Sequence, residues 1–187
     1  PFGKFNLNHF DPFRDLTDRP IAMRRIIPTT WAEAGAGFVG DYYLGDKLGI
    51  SILDDLNVNY KVFLINGLTN DMTGTSTRNA RGSFGSDNNG NKALVGRLGV
   101  TPLAGQEIGV SGYFGEYDDT GREMTGIDID WEVNLGPLQL IGEYAFWDLE
   151  KGGLQSGSSS LLVPENMQGG YFQANYHFWF DSLNNSF

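Results

Sequence analysis

The chain has 187 residues, no cysteine and a formal net charge of −10. A disulfide scaffold, a thiolate zinc site and a cysteine nucleophile are therefore excluded, and the acidic balance argues against binding to nucleic acid. No run of about 18 apolar residues is present, which excludes a helical membrane span.

Alternation of apolar and polar residues predicts about eight β-strands along the chain. The clearest strand carries Ile127, Ile129 and Trp131 on one face and Asp128 and Asp130 on the other. The strands are predicted over residues 3–8, 32–44, 55–66, 92–101, 107–117, 127–135, 138–148 and 169–180. This pattern indicates an all-β antiparallel fold, and no change of composition marks a second domain.

The apolar faces of these strands are free of charge along their central stretches. Charged residues lie on them only at strand ends, at Lys92, Glu116 and Asp148. A charge in the middle of a bilayer costs about 2–4 kcal/mol for Arg or Lys and little near the interface, so membrane strands need this placement. The predicted strands also have the length of membrane strands, about 9–11 residues, and not the soluble average of about 5–6. We therefore expect residues 1–187 to form one antiparallel transmembrane β-barrel domain, or a segment of one.

The connections and the aromatic residues lead to the same expectation. Shorter turns are predicted at 45–54, 102–106 and 136–137, all at one end of the strands, and longer loops at the other end, as in outer-membrane barrels. Aromatic side chains near the strand ends are interpreted as interfacial girdles. These aromatic residues are Tyr42, Tyr43, Phe114, Tyr144, Phe146, Trp147, Phe178, Trp179 and Phe180.

Two motifs suggest ligand sites but have simpler structural explanations. Residues 35–40 match GxGxxG, but no helix start follows them, so we expect a closely packed strand instead of a dinucleotide site. Residues 87–91 begin like a calcium loop with Asp87 as the candidate ligand, but no acidic closing residue follows at the right distance. No other metal site, no cofactor and no catalytic residue is predicted, so we do not expect an enzyme.

The segment 9–31 combines arginines with apolar side chains that a wholly exposed loop would not need. Its apolar residues include Ile21, Met23, Ile26 and Ile27. The planar fork of arginine suits phosphate or carboxylate groups, so we expect the segment to fold into a pore and constrict it. The constriction candidates are Arg14, Arg19, Arg24 and Arg25. An external loop in which interleaved aspartates neutralise these charges is the alternative.

The polar faces of the strands are expected to line the lumen. Two basic residues point inwards there, together with an acidic stripe that continues onto the next strand. The candidates are Lys61, Arg97, Asp128, Asp130, Glu132 and Glu143. Paired carboxylates also serve glycoside hydrolysis, but we interpret the stripe as a solvated lumen wall that attracts cations.

Five stretches resemble the phosphate-selective porin family of the O/P type. They are residues 3–7, 15–20, 27–31, 91–99 and 169–178. The resemblance implies a homotrimeric, integral outer-membrane barrel of about sixteen strands in a Gram-negative envelope, with basic residues lining the pore and lipid and lipopolysaccharide around it. The acidic stripe departs from that basic pattern. Because a barrel of about eight strands fills its interior with side chains, we expect a segment of a larger wall.

The expected function is passive diffusion of small hydrophilic solutes or phosphate-like anions through an outer-membrane porin. Two alternatives stay open. One is a structural barrel that sheathes a partner protein, and the other is a soluble carbohydrate-binding β-sandwich.

Overall fold

The computed structural model describes residues 2–4, 18–27, 31–49, 54–73, 76–81, 90 and 92–178. Within this described part of the chain, the short helices α1 (Ile21–Arg25) and α2 (Gly45–Leu48) lie before and after the first strand. Among the described residues, no helix combines the length and the apolar character needed to cross a membrane. The strands are β1 (Gly35–Tyr43), β2 (Asn57–Ile65), β3 (Ala93–Thr101), β4 (Gln106–Glu116), β5 (Glu123–Leu135), β6 (Leu138–Leu149) and β7 (Asn166–Tyr176).

The seven strands form one antiparallel sheet in which each strand pairs with its neighbours in the sequence. The all-β prediction is confirmed, and the predicted strands from 32–44 to 169–180 correspond to β1–β7 with ends that shift by a few residues. The strand predicted over 3–8 is wrong for Gly3 and Lys4, which pack against one face of the sheet, and residues 5–8 lie outside the described residues. Within the described residues, β1 and β7 each pair on one side only.

One face of the sheet, here called the exposed face, leaves apolar side chains uncovered. Leu98, Val110, Ile129 and Tyr144 form one row across β3–β6 and are between 44% and 50% exposed. Successive residues of a strand point to opposite faces, so the alternation in the sequence alone places these side chains together.

The opposite face, here called the covered face, is buried. Arg97, Ser111, Asp128 and Ala145 form the adjacent row across the same four strands and are between 0% and 4% exposed. The sheet therefore buries charged residues and exposes aliphatic ones, which is the reverse of a water-soluble domain.

The hydrophobic core lies on the covered face, towards the end with the longer connections. Trp147 lies at its centre, with its ring centroid 4.5 Å from Phe2 and 5.4 Å from Tyr113. The Tyr113 hydroxyl accepts a hydrogen bond of 2.8 Å from the backbone N–H of Leu68, which fixes the β2–β3 connection onto the sheet. Side chains from α1 and from this connection complete the core: Met23, Ile26, Ile27, Leu68, Met72 and Ala80.

The connections alternate in length as the sequence predicts. Residues 102–105 and 136–137 make tight turns at one end of the sheet, whereas 66–92 and 150–165 are long connections at the other. Gly136 has φ 58, a backbone conformation that a two-residue hairpin needs and that glycine adopts without strain. Residues 35–40 are part of β1 and pair with β2. They form a strand and not a phosphate-binding turn.

Candidate functional site

The candidate site is the polar half of the covered face, next to the hydrophobic core. Its charged residues alternate along β3–β6 with the apolar residues of the exposed face, so the same period-two pattern positions both. The site's charged side chains are Lys4, Arg97, Glu107, Asp128, Asp130, Glu132 and Glu143. Carboxyl groups therefore outnumber cationic groups by five to two in this part of the described structure.

Arg97 is the central cation of the site. Its Nε and Nη2 atoms donate to the two carboxylate oxygens of Asp130 at 3.0 and 2.6 Å, a two-point contact that only an arginine fork makes. Nη2 also donates to Glu107 Oε1 at 2.7 Å, and Nη1 to Asn59 Oδ1 at 3.4 Å. Four strands, β2 to β5, thus meet at one guanidinium group.

Glycine makes the space that this guanidinium occupies. The Arg97 side chain runs along the covered face over Gly109 of β4. A Cβ added at Gly109 would lie 2.7 Å from Arg97 Cζ and 2.6 Å from Asp130 Oδ2, closer than real Cβ contacts. A side chain at this position would therefore push the arginine off its carboxylates.

The N-terminal residues 2–4 cover the acidic part of the site. Lys4 Nζ lies 2.7 Å from Glu132 Oε2 and 3.2 Å from Glu107 Oε2. The backbone N–H of Gly3 donates to Ser111 Oγ at 3.1 Å, and a Cβ at Gly3 would collide with the Glu143 carboxylate. These contacts join residues more than 100 positions apart, so the alternation within strands carries no signal for them.

The acidic stripe is where the sequence predicts it, but its surroundings differ from the expectation. Asp128, Asp130 and Glu143 are buried, so the solvated lumen wall is wrong for them in this structure. The reason is the cover that Phe2, Gly3 and the core aromatic residues provide. Both carboxylate oxygens of Asp128 are buried without a hydrogen-bond partner among the described residues.

Within the described residues 18–27 of the arginine segment, apolar side chains pack against the covered face, although Ile21 is exposed. Met23, Ile26 and Ile27 are buried, and Ile26 O accepts a 2.8 Å hydrogen bond from Trp147 Nε1. By contrast, Arg24 and Arg25 are exposed and do not reach the Arg97 cluster. Folding of the whole segment into a pore and a constriction formed by its arginines both stay predictions.

The remaining candidates are scattered around the site. Arg19 is half-buried just before α1, and Lys61 is half-buried on β2 in register with Arg97. Arg14 and the calcium candidate Asp87 lie outside the described residues. No group of three or more His, Cys, Asp or Glu side chains within the described part of the chain is arranged to hold a metal ion.

The interpretation of the aromatic residues as interfacial girdles stays a prediction. Phe114, Tyr144 and Phe146 are exposed on the apolar face as expected. Trp147 is not a girdle residue, because it points to the covered face, where its ring lies over Gly126. Trp179 and Phe180 lie outside the described residues.

Fold and site together define an all-β protein built on one antiparallel sheet with an acidic, partly self-covered face. No family model and no solved structure matches the chain. Among curated proteins it is similar to an uncharacterized protein of Aquifex aeolicus (strain VF5), with 26% identity over 194 residues. The match covers 95% of this chain and 42% of that protein, so the chain spans less than half the length of the relative.

Proposed function

We propose that the chain forms part of the wall of an outer-membrane β-barrel channel for small hydrophilic solutes. The observation that supports this best is the inverted burial of the sheet, in which Ile129 is exposed and its neighbours Asp128 and Asp130 are buried. Water would favour the opposite arrangement. A bilayer favours this one, because lipid covers the apolar face and the polar face lines the interior of the barrel.

The height of the charge-free surface supports the same proposal. On β5 the exposed face carries no charge from Thr125 to Leu135, ten residue steps that span about 34 Å along the strand. If the strand is tilted by about 40° from the membrane normal, this length corresponds to a height of roughly 26 Å. The apolar band of outer-membrane barrels has a similar height of about 25 Å. Glu116 and Glu123 lie beyond this stretch, and Asp148 pairs with its first residue, Thr125, all at the end of the sheet that carries the longer loops.

The width of the surface argues against a soluble domain. Seven strands at about 4.8 Å spacing make the apolar face about 29 Å wide, so the patch measures several hundred Å². A β-sandwich would cover such a face with a second sheet, and the described residues form a single sheet. A lipid bilayer would cover this face without a second sheet.

The charges of the site bear on which solutes pass. The candidate site holds five carboxyl groups and the cations Lys4 and Arg97, with Lys61 as a third cation on the same face of β2. This excess of carboxyl groups favours cationic or neutral solutes over phosphate-like anions. The anion preference that the family resemblance implies gains no support from the described strands. Homotrimer formation and contact with lipopolysaccharide, which rest on the same resemblance, remain part of the proposal.

Reconstitution of the full-length protein that contains this chain into planar bilayers tests the proposal. We expect stepwise conductance in potassium chloride and extraction from membranes only with detergent. Insertion into membranes without conductance would favour the alternative of a barrel that sheathes a partner. A chain that stays dissolved without detergent and adds no conductance would contradict membrane placement altogether.

A further inference from the structure

The Lys4 ammonium group occupies a site whose carboxylates are held in place by other residues. Glu107 directs Oε2 at Lys4 while its Oε1 accepts from Arg97 at 2.7 Å. Glu132 likewise directs Oε2 at Lys4 while its Oε1 accepts from two amide side chains at 3.2 and 3.1 Å. Those amides belong to Asn134 and Gln139. Each carboxylate is therefore oriented without the help of Lys4, with one oxygen aimed at a common point.

The common point is accessible from outside the buried cluster. The Glu107 and Glu132 side chains keep 27% and 23% of their surface exposed, in contrast to the buried Asp130. Lysine is a flexible chain that ends in a point charge, so it binds such a pair without a fixed geometry. An external ammonium group can reach the same oxygens once the lysine leaves.

We propose that the Glu107–Glu132 pair is a binding site for the primary ammonium group of cationic solutes, which Lys4 occupies in the covered state. This rests on the proposed channel function, for which it names the solute class. Lys4 acts as a tethered competitor, and Gly3 and Phe2 hold it over the site through Ser111 and Trp147. A solute that carries an alkylammonium group displaces Lys4 as it passes.

Chemical rescue of Lys4→Ala by n-butylammonium tests the site directly. This ion has the four carbons and the ammonium group of the missing side chain. In detergent micelles we expect n-butylammonium at tenfold its Kd to raise the Tm of the variant by about 3–6 °C and that of the parent protein much less. The uncharged analogue 1-butanol controls for alkyl burial, and Lys151→Ala controls for the loss of an exposed lysine ion pair with Glu165.

Absence of rescue in a folded Lys4→Ala protein would overturn the assignment, as would equal stabilisation by 1-butanol. If that variant does not fold, Lys4→Ser provides the same test with a small polar side chain that leaves the space of the lysine side chain open. Bilayer recordings separate the two proposals: a chain without any conductance contradicts the channel, whereas rescue is measured without a channel. In a channel that conducts, Lys4→Gln is expected to shift the reversal potential in a potassium chloride gradient towards cation selectivity, and Lys151→Ala is expected not to.

Discussion

At the scale of single residues, the polar half of the covered face depends on how closely Arg97 can approach its carboxylates. The guanidinium lies next to Gly109 and donates hydrogen bonds to both Asp130 and Glu107. Removal of one member of a buried ion pair costs more than the pair contributes, because the other charge is left without compensation. Space at position 109 is therefore as important as the charges themselves.

We predict that Gly109→Ala destabilises the protein although alanine is the better strand residue in isolation. The added methyl group would displace the arginine, so we expect the free energy of unfolding to fall by about 1–3 kcal/mol in detergent. Gly112→Ala on the same strand is the matched control, since a Cβ there has no atom within 4 Å. That variant is expected to be neutral or more stable by about 0.5–1 kcal/mol. Equal effects of the two substitutions in denaturant titrations would contradict the close packing at Gly109.

At the scale of one element, substitutions at two positions of β5 test which environment surrounds the exposed face. We predict that Ile129→Arg at mid-strand lowers the free energy of unfolding in lipid vesicles by about 2–4 kcal/mol, whereas Thr125→Arg near the loop end costs about 0–1 kcal/mol. Both positions are exposed on the same face, so water would tolerate both substitutions alike. Depth-independent results in vesicle unfolding experiments would therefore argue against lipid contact.

The same strand shows what the sequence predicts and where its information ends. Alternation places Asp128 on one face and Ile129 on the other, and the pairing of β5 with β6 follows from the two-residue turn at 136–137. The cover over this part of the face depends instead on residues 2–4, which contact Ser111, the partner of Asp128 on β4, from more than 100 positions away. Trp147 illustrates the same limit: its face follows from the alternation, but its cover comes from Phe2 and α1. The local alternation therefore determines the face on which a side chain lies. Whether that side chain is buried depends on packing with residues far away in the sequence.

The β4–β5 loop is a separate ordered element around one carboxylate. Asp118 Oδ1 accepts hydrogen bonds from the Thr120 hydroxyl and from the backbone N–H groups of Thr120 and Arg122, and Oδ2 pairs with Arg122 Nη1 at 2.9 Å. Burial disfavours the charged carboxylate of Asp118, but the hydrogen bonds from Thr120 and Arg122 stabilise it more strongly. The pKa of Asp118 is therefore lower than its ordinary value.

We predict that this loop loses stability in acid. A pKa that is lower in the folded loop than in the unfolded chain contributes stability above the unfolded value of about 3.9, and the contribution is lost as pH falls through the folded value. The amide chemical shifts of Thr120 and Arg122, followed by NMR from pH 7 downwards, should report one transition below about pH 3.9. Asp118→Asn keeps an acceptor oxygen but cannot titrate, so it should abolish that transition. Its persistence in the variant would assign it to another group.

At the scale of the whole molecule, the two faces of the sheet suit different surroundings. The exposed face meets the requirement of lipid for apolar side chains. Lipid also tolerates no unpaired backbone N–H or C=O groups, and among the described strands β1 and β7 are each paired on one side only. Membrane placement therefore requires that further strands, from a longer chain or from another copy, pair with both edges.

This requirement predicts the hydrogen exchange of the two edge strands. Alternate amides of β1 and β7 point away from β2 and β6, and in lipid vesicles we expect them to exchange as slowly as the amides of the central strand β5. In a soluble sheet with open edges, these same amides would exchange as fast as the Gly136 amide in the tight turn between β5 and β6. Mass spectrometry of fragments covering 35–43 and 166–176 measures the difference. Fast exchange at both edges in vesicles that retain the protein would mean that the sheet does not cross the bilayer. In the bilayer core, each unpaired backbone N–H or C=O group of an open edge would cost several kcal/mol.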